Sequence, residues 1–185
     1  SSRVQSAAAT LLAVVPRRGA APAARKVAKP RPSPYAKKEK MVNGVHVSGE
    51  VLKSDEKDFK WLKYGDVHDT VGHILGGIKT LGFSVHIDGA SATSGRDYKS
   101  ASFSAKLLNG TEKVADVSRV FVKAGKTLTV NHSYFEVEKS YQKKGIAKEL
   151  FRHAFKEYQK LKVDHVEVGA GLTRGGYAWA RFGFL

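Results

Sequence analysis

Residues 142–147 read Gln-Lys-Lys-Gly-Ile-Ala, and they lie between a β-rich run, Thr127 to Glu138, and an amphipathic helical pattern. That pattern places apolar residues on one helical face, at Ile146, Leu150, Ala154, Tyr158 and Leu161. A loop of this kind presents the free amides of a first helical turn, and the positive end of the helix dipole, to an anion. Gly145 would let a ligand approach the backbone closely. The stretch therefore predicts a phosphate-bearing ligand at a strand–loop–helix junction.

A further short strand is indicated after the helix by Val163, Val166 and Val168. Strand, helix and strand in this order form a right-handed βαβ unit in nearly all proteins. The loop at residues 142–147 would then lie at the carboxyl end of the first strand, where such units bind phosphates.

Upstream of this unit, apolar residues alternate between the strand and helix periods. Val45, Val47 and Val51 predict a strand that Gly49 weakens, and the spacing from Val67 to Leu81 predicts a helix between an Asp66 cap and a Gly82 stop. Strands are predicted over 83–87, 102–108, 114–123 and 127–138, with turns at Asp88-Gly89, Asn109-Gly110 and Ala124-Gly125 and a mobile loop over 90–100. The fold class is α+β, with a central mixed sheet flanked by helices.

Charge and proline are concentrated at the amino-terminal end. All five prolines fall within residues 16–34, and the first 40 residues carry +9 of the net +15 because they hold ten Lys or Arg and one acid, Glu39. Such composition does not build a core. We therefore divide the chain into a basic Pro/Ala-rich extension, residues 1–40, and a domain, residues 41–185.

Three interpretations of the extension remain open. It can contact nucleic acid or a large assembly, it can be the remnant of an organelle transit peptide, or it can be a solvated tail. The first is favoured, and it assigns nucleic-acid contacts to the basic residues Arg17, Arg18, Arg25, Lys26, Lys29, Arg31, Lys37, Lys38 and Lys40.

Two other classes of protein are not supported by the composition. The chain has no cysteine, which excludes disulfides, thiol nucleophiles and Cys-ligated zinc, and no apolar run approaches the ~18–20 residues that span a bilayer. His68 and His73 are five residues apart and do not share a helical face as metal ligands at i and i+4 do, so no metal site is predicted.

The run from Phe135 to Ala147, followed by Leu150, resembles the acyl-CoA-binding motif of the GNAT N-acetyltransferase superfamily. Val137, Gln142, Gly145 and Ala147 occupy the positions that define that motif. Downstream, residues 177–184, Tyr-Ala-Trp-Ala-Arg-Phe-Gly-Phe, resemble the aromatic helix and Gly-Phe ending of the same family. The two motifs span residues 127–184.

The resemblance implies acetyl-CoA as the cofactor and transfer of its acetyl group to an amine. Its pyrophosphate would be held by the backbone at Lys143, Lys144, Gly145, Ile146 and Ala147, beside Val137 and Gln142. A carboxylate would take the proton of the amine, and Glu136 is the stronger candidate, with Glu138 second.

This sequence departs from the family pattern in two places. Trp179 stands where the family has the tyrosine that protonates the thiolate, and an indole N–H is not an acid of that strength, so Tyr177 is the remaining candidate. The sequence ends at Leu185, before the final strand that the family adds, so a further segment or a partner would complete the sheet.

Two functions follow. In the first, a GNAT-like domain is a structural component of a large nucleic-acid-containing assembly, anchored by its basic extension and retaining acyl-CoA binding. The aromatic ending is also similar to GNAT-like domains of phage virion proteins, so a virion and an organellar ribosome are the assemblies that suit the chain. In the second, the chain is an active acetyl-CoA-dependent N-acetyltransferase. The extension, Trp179 and the ending favour the first, and the intact loop favours the second.

Overall fold

The computed structural model describes residues 33–169 of the chain. Seven strands form one sheet, in which their spatial order is their order in the sequence. The strands are β1 Tyr35–Val42, β2 Val45–Leu52, β3 Ser84–Ser94, β4 Tyr98–Asn109, β5 Glu112–Ala124, β6 Thr127–Val137 and β7 His165–Val168. The α-helices are α1 Lys53–Asp58, α2 Val67–Ile74 and α3 Ile146–Leu161, and 3₁₀ segments cover Phe59–Leu62, Gly76–Leu81 and Lys139–Tyr141.

The sheet is mixed, as the sequence predicts. Neighbouring strands are antiparallel except for two parallel pairs, β2 with β3 and β6 with β7. A parallel pair needs a long crossover connection, which α1 and α2 supply for the first pair and α3 for the second. The predicted α+β class, with helices packed on a mixed sheet, is confirmed.

The helices cover one face of the sheet, and the strands alternate accordingly. Val45, Val47 and Val51 of β2 are buried under α2, whereas the intervening side chains point to the opposite face. α3 packs on α2 and on the 3₁₀ segment that follows it, so the helices and the sheet enclose one continuous core. We call the face opposite the helices the outer face.

The first strand lies partly in the segment that composition assigned to the extension. Residues 35–40 belong to β1, which pairs along its whole length with β2. The boundary at residue 40 is therefore wrong for these six residues: the alternation of Ala36, Lys38, Lys40 and Val42 toward the helices is a strand pattern that the high lysine content concealed.

The segment 90–100 is also wrong as a mobile loop. Its Ser and Thr residues extend β3 to Ser94 and begin β4 at Tyr98, so the two strands form a long hairpin. The predicted turn at Asp88-Gly89 is a β-bulge inside β3, where the pairing shifts between Ile87 and Gly89. Ser and Thr alternating with Ala are compatible with a sheet when one face of the sheet is polar.

The predicted helix boundaries are correct, but the helix between them is interrupted. The Asp66 side chain accepts a hydrogen bond from the Asp69 backbone N–H, Asp69 returns the bond in a capping box, and Gly82 ends the segment at φ +73°. The α-helix ends at Ile74, and Gly76 and Gly77 lead into a 3₁₀ segment. Both glycines pack against α3, where added Cβ atoms would meet His153 at 2.7 and 2.6 Å, respectively. Close helix packing therefore explains the interruption.

The hairpin predicted at Asn109-Gly110 is confirmed, with Asn109 paired to Glu112 and Gly110 at φ +61°. None of the helices formed by residues 33–169 has the length and apolar character needed to cross a membrane. The final strand that the family adds would follow the Gly-Phe pair at residues 183–184, outside the described residues.

Candidate functional site at the β6–α3 junction

The segment between β6 and α3 turns through two left-handed residues. Lys143 has φ +62° and Gly145 has φ +78°, and α3 begins at Ile146 directly after that glycine. A Cβ added to Gly145 would meet no atom within 4 Å. Glycine at position 145 takes this conformation without the steric cost of a Cβ, and the space beside it is open.

The amino-terminal end of α3 has no side-chain cap. The first hydrogen bond of the helix runs from the Glu149 N–H to the Gly145 carbonyl at 3.0 Å. The amides of Ile146, Ala147 and Lys148 precede that bond and have no acceptor within the helix. Together with the helix dipole, they make this end of α3 attractive to an anion.

Side chains fix the loop in front of this helix end. The Tyr141 hydroxyl donates to Glu112 Oε2 at 2.7 Å and accepts from Asn109 Nδ2 at 3.1 Å. Lys144 Nζ lies 4.6 Å from the centroid of the Tyr141 ring. Gln142 Nε2 donates to the Val137 carbonyl at 3.0 Å, so this side chain turns back and ties the loop to the end of β6.

An open cleft of about 590 Å³ lies beside the end of β6. Its lining is formed by Glu136, Val137, Glu138, Lys139, Ser140 and Gln142. The structure thus brings the predicted base and two predicted cofactor residues to one cleft, next to the segment 143–147 that leads into α3.

The two candidate carboxylates differ in their surroundings. Glu136 is exposed on the outer face, where it accepts a short hydrogen bond from the Tyr134 hydroxyl, and this bond raises the pKa of Tyr134. Glu138 follows the end of β6 and forms a 2.7 Å ion pair with Lys113, which also contacts Asp116 at 2.7 Å. Glu138 is therefore held by a cation, whereas Glu136 keeps a neutral partner.

β6 changes its alternation at a β-bulge. Ser118 pairs with Tyr134 and Val120 with Asn131, so His132 and Ser133 together lie opposite the single residue Arg119. Before the bulge, the even-numbered residues of β6 face the helices; after it, the odd-numbered ones do. The bulge therefore puts the Glu136 side chain on the outer face.

A buried polar cluster under α3 was not predicted. His132 is hydrogen-bonded to the Tyr158 hydroxyl through Nε2 at 2.9 Å and stacks on Phe151. Burial, and then the charge of Arg119, lower the pKa of His132 to about 2, so the imidazole is neutral at physiological pH. Arg119 is fully buried, and burial lowers its pKa. A cation between Val117 and Phe121 in a strand that otherwise points apolar residues inward was the sequence signal that could have revealed it.

β6 extends beyond its parallel neighbour. β7 pairs with residues 129–132 of β6, and within the described chain Ser133 to Val137 have no partner on that side. The N–H of Gly169 still reaches the His132 carbonyl, at 3.4 Å. The carboxyl end of β6 thus has a free edge in the described structure, beside the amino-terminal end of α3.

Three of the predicted nucleic-acid contacts lie in the described residues, and two of these three side chains form ion pairs with acidic residues of the domain. Lys38 Nζ pairs with Glu56 at 2.7 Å, and Lys40 Nζ pairs with Asp69 at 2.6 Å. Both lysines also reach Asp66 and lie on the helix-facing side of β1, so their charges are paired within the domain, and nucleic-acid contact by them stays a prediction. Lys37 is exposed on the outer face. The contacts predicted at Arg17, Arg18, Arg25, Lys26, Lys29 and Arg31 lie outside the described residues, as do Tyr177 and Trp179.

No cluster of three or more His, Asp or Glu side chains that could hold a metal ion occurs in residues 33–169. No family model and no curated protein matches the chain.

Solved structures similar to the chain include an aminoglycoside acetyltransferase from an uncultured soil metagenomic sample. Its complex with sisomicin matches at 15% identity and a TM-score of 0.37, over 48% of this chain and 58% of that one. Its complex with trehalose matches at 15% identity and a TM-score of 0.36, over 48% and 57%. A tetramutant protein from Bacillus halodurans matches at 16% identity and a TM-score of 0.39, over 45% and 60%. The chain spans less than two thirds of the length of each of these proteins. Similarities of this size do not establish a family.

Proposed function

We propose that this chain carries a divergent GNAT-like domain that binds acyl-CoA at the β6–α3 junction. The observation that supports this most strongly is the uncapped amino-terminal end of α3, which directly follows the left-handed Gly145 at the carboxyl end of β6. The amides of residues 143–147 would hold a pyrophosphate, and the open space beside Gly145 would leave room for it. Lys143 and Lys144 add positive charge next to these amides.

Acetyl transfer to an amine is the reaction that the arrangement suits. Acetyl-CoA would supply the activated acetyl group. Glu136 would accept the proton that the attacking amine loses, since its carboxylate is exposed beside the cleft. The Tyr134 hydroxyl orients that carboxylate through its hydrogen bond. Tyr177 stays a prediction as the acid.

Calorimetric titration with acetyl-CoA tests the binding proposal. We expect measurable binding by the full chain and its loss in Gly145→Glu, because the new side chain adds a negative charge and a strained φ at the helix end. Gly125→Glu is the matched control: Gly125 also has a positive φ, +59°, and free space around it, but it lies in the β5–β6 turn. The absence of heat at millimolar acetyl-CoA, or equal loss in both variants, would contradict the proposal.

Turnover is tested separately. Release of free CoA can be followed with a thiol reagent without background from the protein, since the chain has no cysteine. Over a panel of primary amines and polyamines, we expect Glu136→Gln to lower kcat by about 10²-fold or more while leaving acetyl-CoA affinity unchanged. If the unmodified chain binds acetyl-CoA but releases no CoA with any of these amines, the result would support the cofactor site and contradict acetyl transfer to amines of this panel.

A second candidate function, a structural component of a nucleic-acid-containing assembly such as a virion or an organellar ribosome, is favoured by the charge distribution. Residues 1–34 hold seven Lys or Arg and no acid. We expect Arg17→Gln and Arg25→Gln each to reduce the salt slope of nucleic-acid binding by about 0.7–0.9. Lys38→Gln and Lys40→Gln should leave the slope unchanged, because those lysines are already paired. If the salt slopes of all four variants equal the slope of the unmodified chain, contacts by Arg17 and Arg25 are excluded.

A further inference from the structure

Arg119 binds the backbone of both β5 and β6 next to the β6 bulge. Its Nη1 atom donates to the Ser118 carbonyl at 2.7 Å and to the Tyr134 carbonyl at 3.2 Å. Its guanidinium carbon lies 5.8 Å from the centroid of the Phe151 ring on α3. A bulge interrupts the regular ladder bonds between two strands. The Arg119 guanidinium provides a donor where the ladder is interrupted.

The charge of Arg119 is not balanced by any Asp or Glu side chain in residues 33–169. All 17 Asp and Glu of the chain lie between Glu39 and Glu167, and none of them forms an ion pair with Arg119 in the described structure. The Nε and Nη2 atoms of Arg119 are buried without a hydrogen-bond partner. Burying an unpaired cation is costly. The favourable contacts that accompany this burial are the Ser118 and Tyr134 carbonyls, the aromatic face of Phe151 and the Tyr158 hydroxyl.

The bulge determines which way the end of β6 faces. Leu128, Val130 and His132 point under α3, and unbroken alternation would place Tyr134 and Glu136 there as well. The extra residue reverses this alternation. Phe135 packs edge-on against Phe151, 5.0 Å between ring centroids, and Glu136 stays outside.

We infer that Arg119 is a positioning residue that stabilises the His132–Ser133 bulge and thereby keeps Glu136 on the outer face beside the cleft. The importance of this for catalysis rests on the proposed function. The placement of the side chains does not, so it can be measured whether or not acetyl-CoA binds.

Single cysteines report the placement, because the natural chain has none. Glu136→Cys and Val137→Cys are made separately, and their labelling by a maleimide is timed under native conditions. With Arg119 present, Cys at 136 should react about tenfold faster than Cys at 137. In Arg119→Met the two rates should converge or reverse, and in Arg119→Lys, which retains a donor, the original order should be largely kept. Val130→Cys, in the buried part of β6 before the bulge, should stay protected throughout and reports that the sheet is folded.

Deletion of Ser133 provides the second test. It removes the extra residue, so a regular strand would carry residue 136 outward without the bulge. In this background, Arg119→Met should no longer alter the order of the two rates. Two results would overturn the inference. In the first, Arg119→Met leaves both labelling rates unchanged in the chain that retains Ser133, while position 130 stays protected. In the second, Arg119→Met changes the order of the rates equally in the chain with Ser133 and in the chain without it. If Arg119→Met unfolds the intact chain, a folded deletion chain carrying the same substitution supports the inference, and an unfolded one contradicts it.

Discussion

The Tyr141 hydroxyl donates a 2.7 Å hydrogen bond to Glu112 Oε2 and so connects the loop before α3 to the turn between β4 and β5. The two residues are far apart in the sequence, and Tyr141 is nearly buried, with its ring edge-on to Phe83 at 6.0 Å. This contact fixes the residues that lead into the proposed pyrophosphate site.

Removal of that hydroxyl should loosen the loop without removing any predicted ligand group. Tyr141→Phe leaves Glu112 and Asn109 without their shared partner, and we expect the free energy of unfolding to fall by about 1 kcal/mol. Acetyl-CoA affinity should fall several-fold, measured by calorimetry. Tyr98→Phe, at an exposed tyrosine on β4, is the control and should change neither quantity. An unchanged affinity in Tyr141→Phe would mean that the loop is ordered without this bond.

Gly49 should tolerate no side chain. Its φ is +139°, and an added Cβ would lie 2.5 Å from the Ile87 carbonyl oxygen on the neighbouring parallel strand. We expect Gly49→Ala to destabilise the domain by about 3 kcal/mol, from backbone strain and steric overlap together. Gly110→Ala, at φ +61° with nothing within 4 Å, should cost only about 1 kcal/mol. Chemical denaturation of the two variants compares these values, and equal costs would show that the sheet yields at Gly49.

The Asp66 cap should make stability depend on pH in the acid range. Burial alone would raise the pKa of Asp66, but the Asp69 backbone N–H and the Lys40 ammonium outweigh it and lower the pKa from 3.8 to about 2. Because the folded-state pKa is the lower one, the contribution is present above pH 4 and is lost as the pH falls from 3.8 through 2. Its size is about 2 kcal/mol.

Asp66→Asn retains a capping oxygen and removes the charge, so it should lower the unfolding free energy at pH 7 and flatten its decline below pH 4. Denaturant unfolding at pH 7, 4, 3 and 2 measures both effects. Asp97→Asn, at an exposed position in the turn between β3 and β4, is the control for the loss of one negative charge. A decline below pH 4 as steep in Asp66→Asn as in the unmodified chain would exclude this role.

His132 should destabilise the fold at mildly acidic pH. Its pKa is about 2 in the folded chain and 6.5 for an ordinary histidine, so below pH 6.5 the unfolded chain binds a proton at His132 that the folded chain does not bind. Stability is complete above pH 6.5 and should decline by about 1.4 kcal/mol per pH unit as the pH falls below that value.

His132→Phe keeps an aromatic ring between Phe151 and Phe155 but cannot be protonated. It removes the hydrogen bond between His132 and the Tyr158 hydroxyl, which costs stability equally at all pH values. We therefore expect a lower but flatter profile between pH 6.5 and 4.5, measured by denaturant unfolding. His165→Phe, at an exposed histidine on β7, should leave the slope intact. A slope that survives in His132→Phe would show that another group causes it.

Several elements of the domain could be predicted because they are local. The stripe from Ile146 to Leu161, the turn at Asn109-Gly110 and the Asp66 cap each depend on residues within a few positions of one another, and the structure confirms all three. The first strand could not be recognised from its sequence, because the lysines on its helix-facing side form ion pairs with acidic residues that are distant in the sequence. Lys38 and Lys40 are buried in part only because Glu56, Asp66 and Asp69 lie beneath them.

The candidate site shows the same division. The start of α3 could be predicted from local sequence, because the apolar stripe of the helix begins at Ile146, directly after Gly145. Tyr141 is anchored by Glu112, and Glu138 forms an ion pair with Lys113, only because the pairing of β5 with β6 brings these remote residues together.

The sequence by itself determined the period of most elements, the βαβ unit, and the loop with its free helical amides, because these follow from backbone conformation and from apolar spacing. Only the tertiary structure decided which carboxylate stays on the open face beside the cleft. That choice depends on one extra residue in β6 and on a buried Arg119 from the neighbouring strand, and pairing between strands is a long-range property that local patterns do not contain.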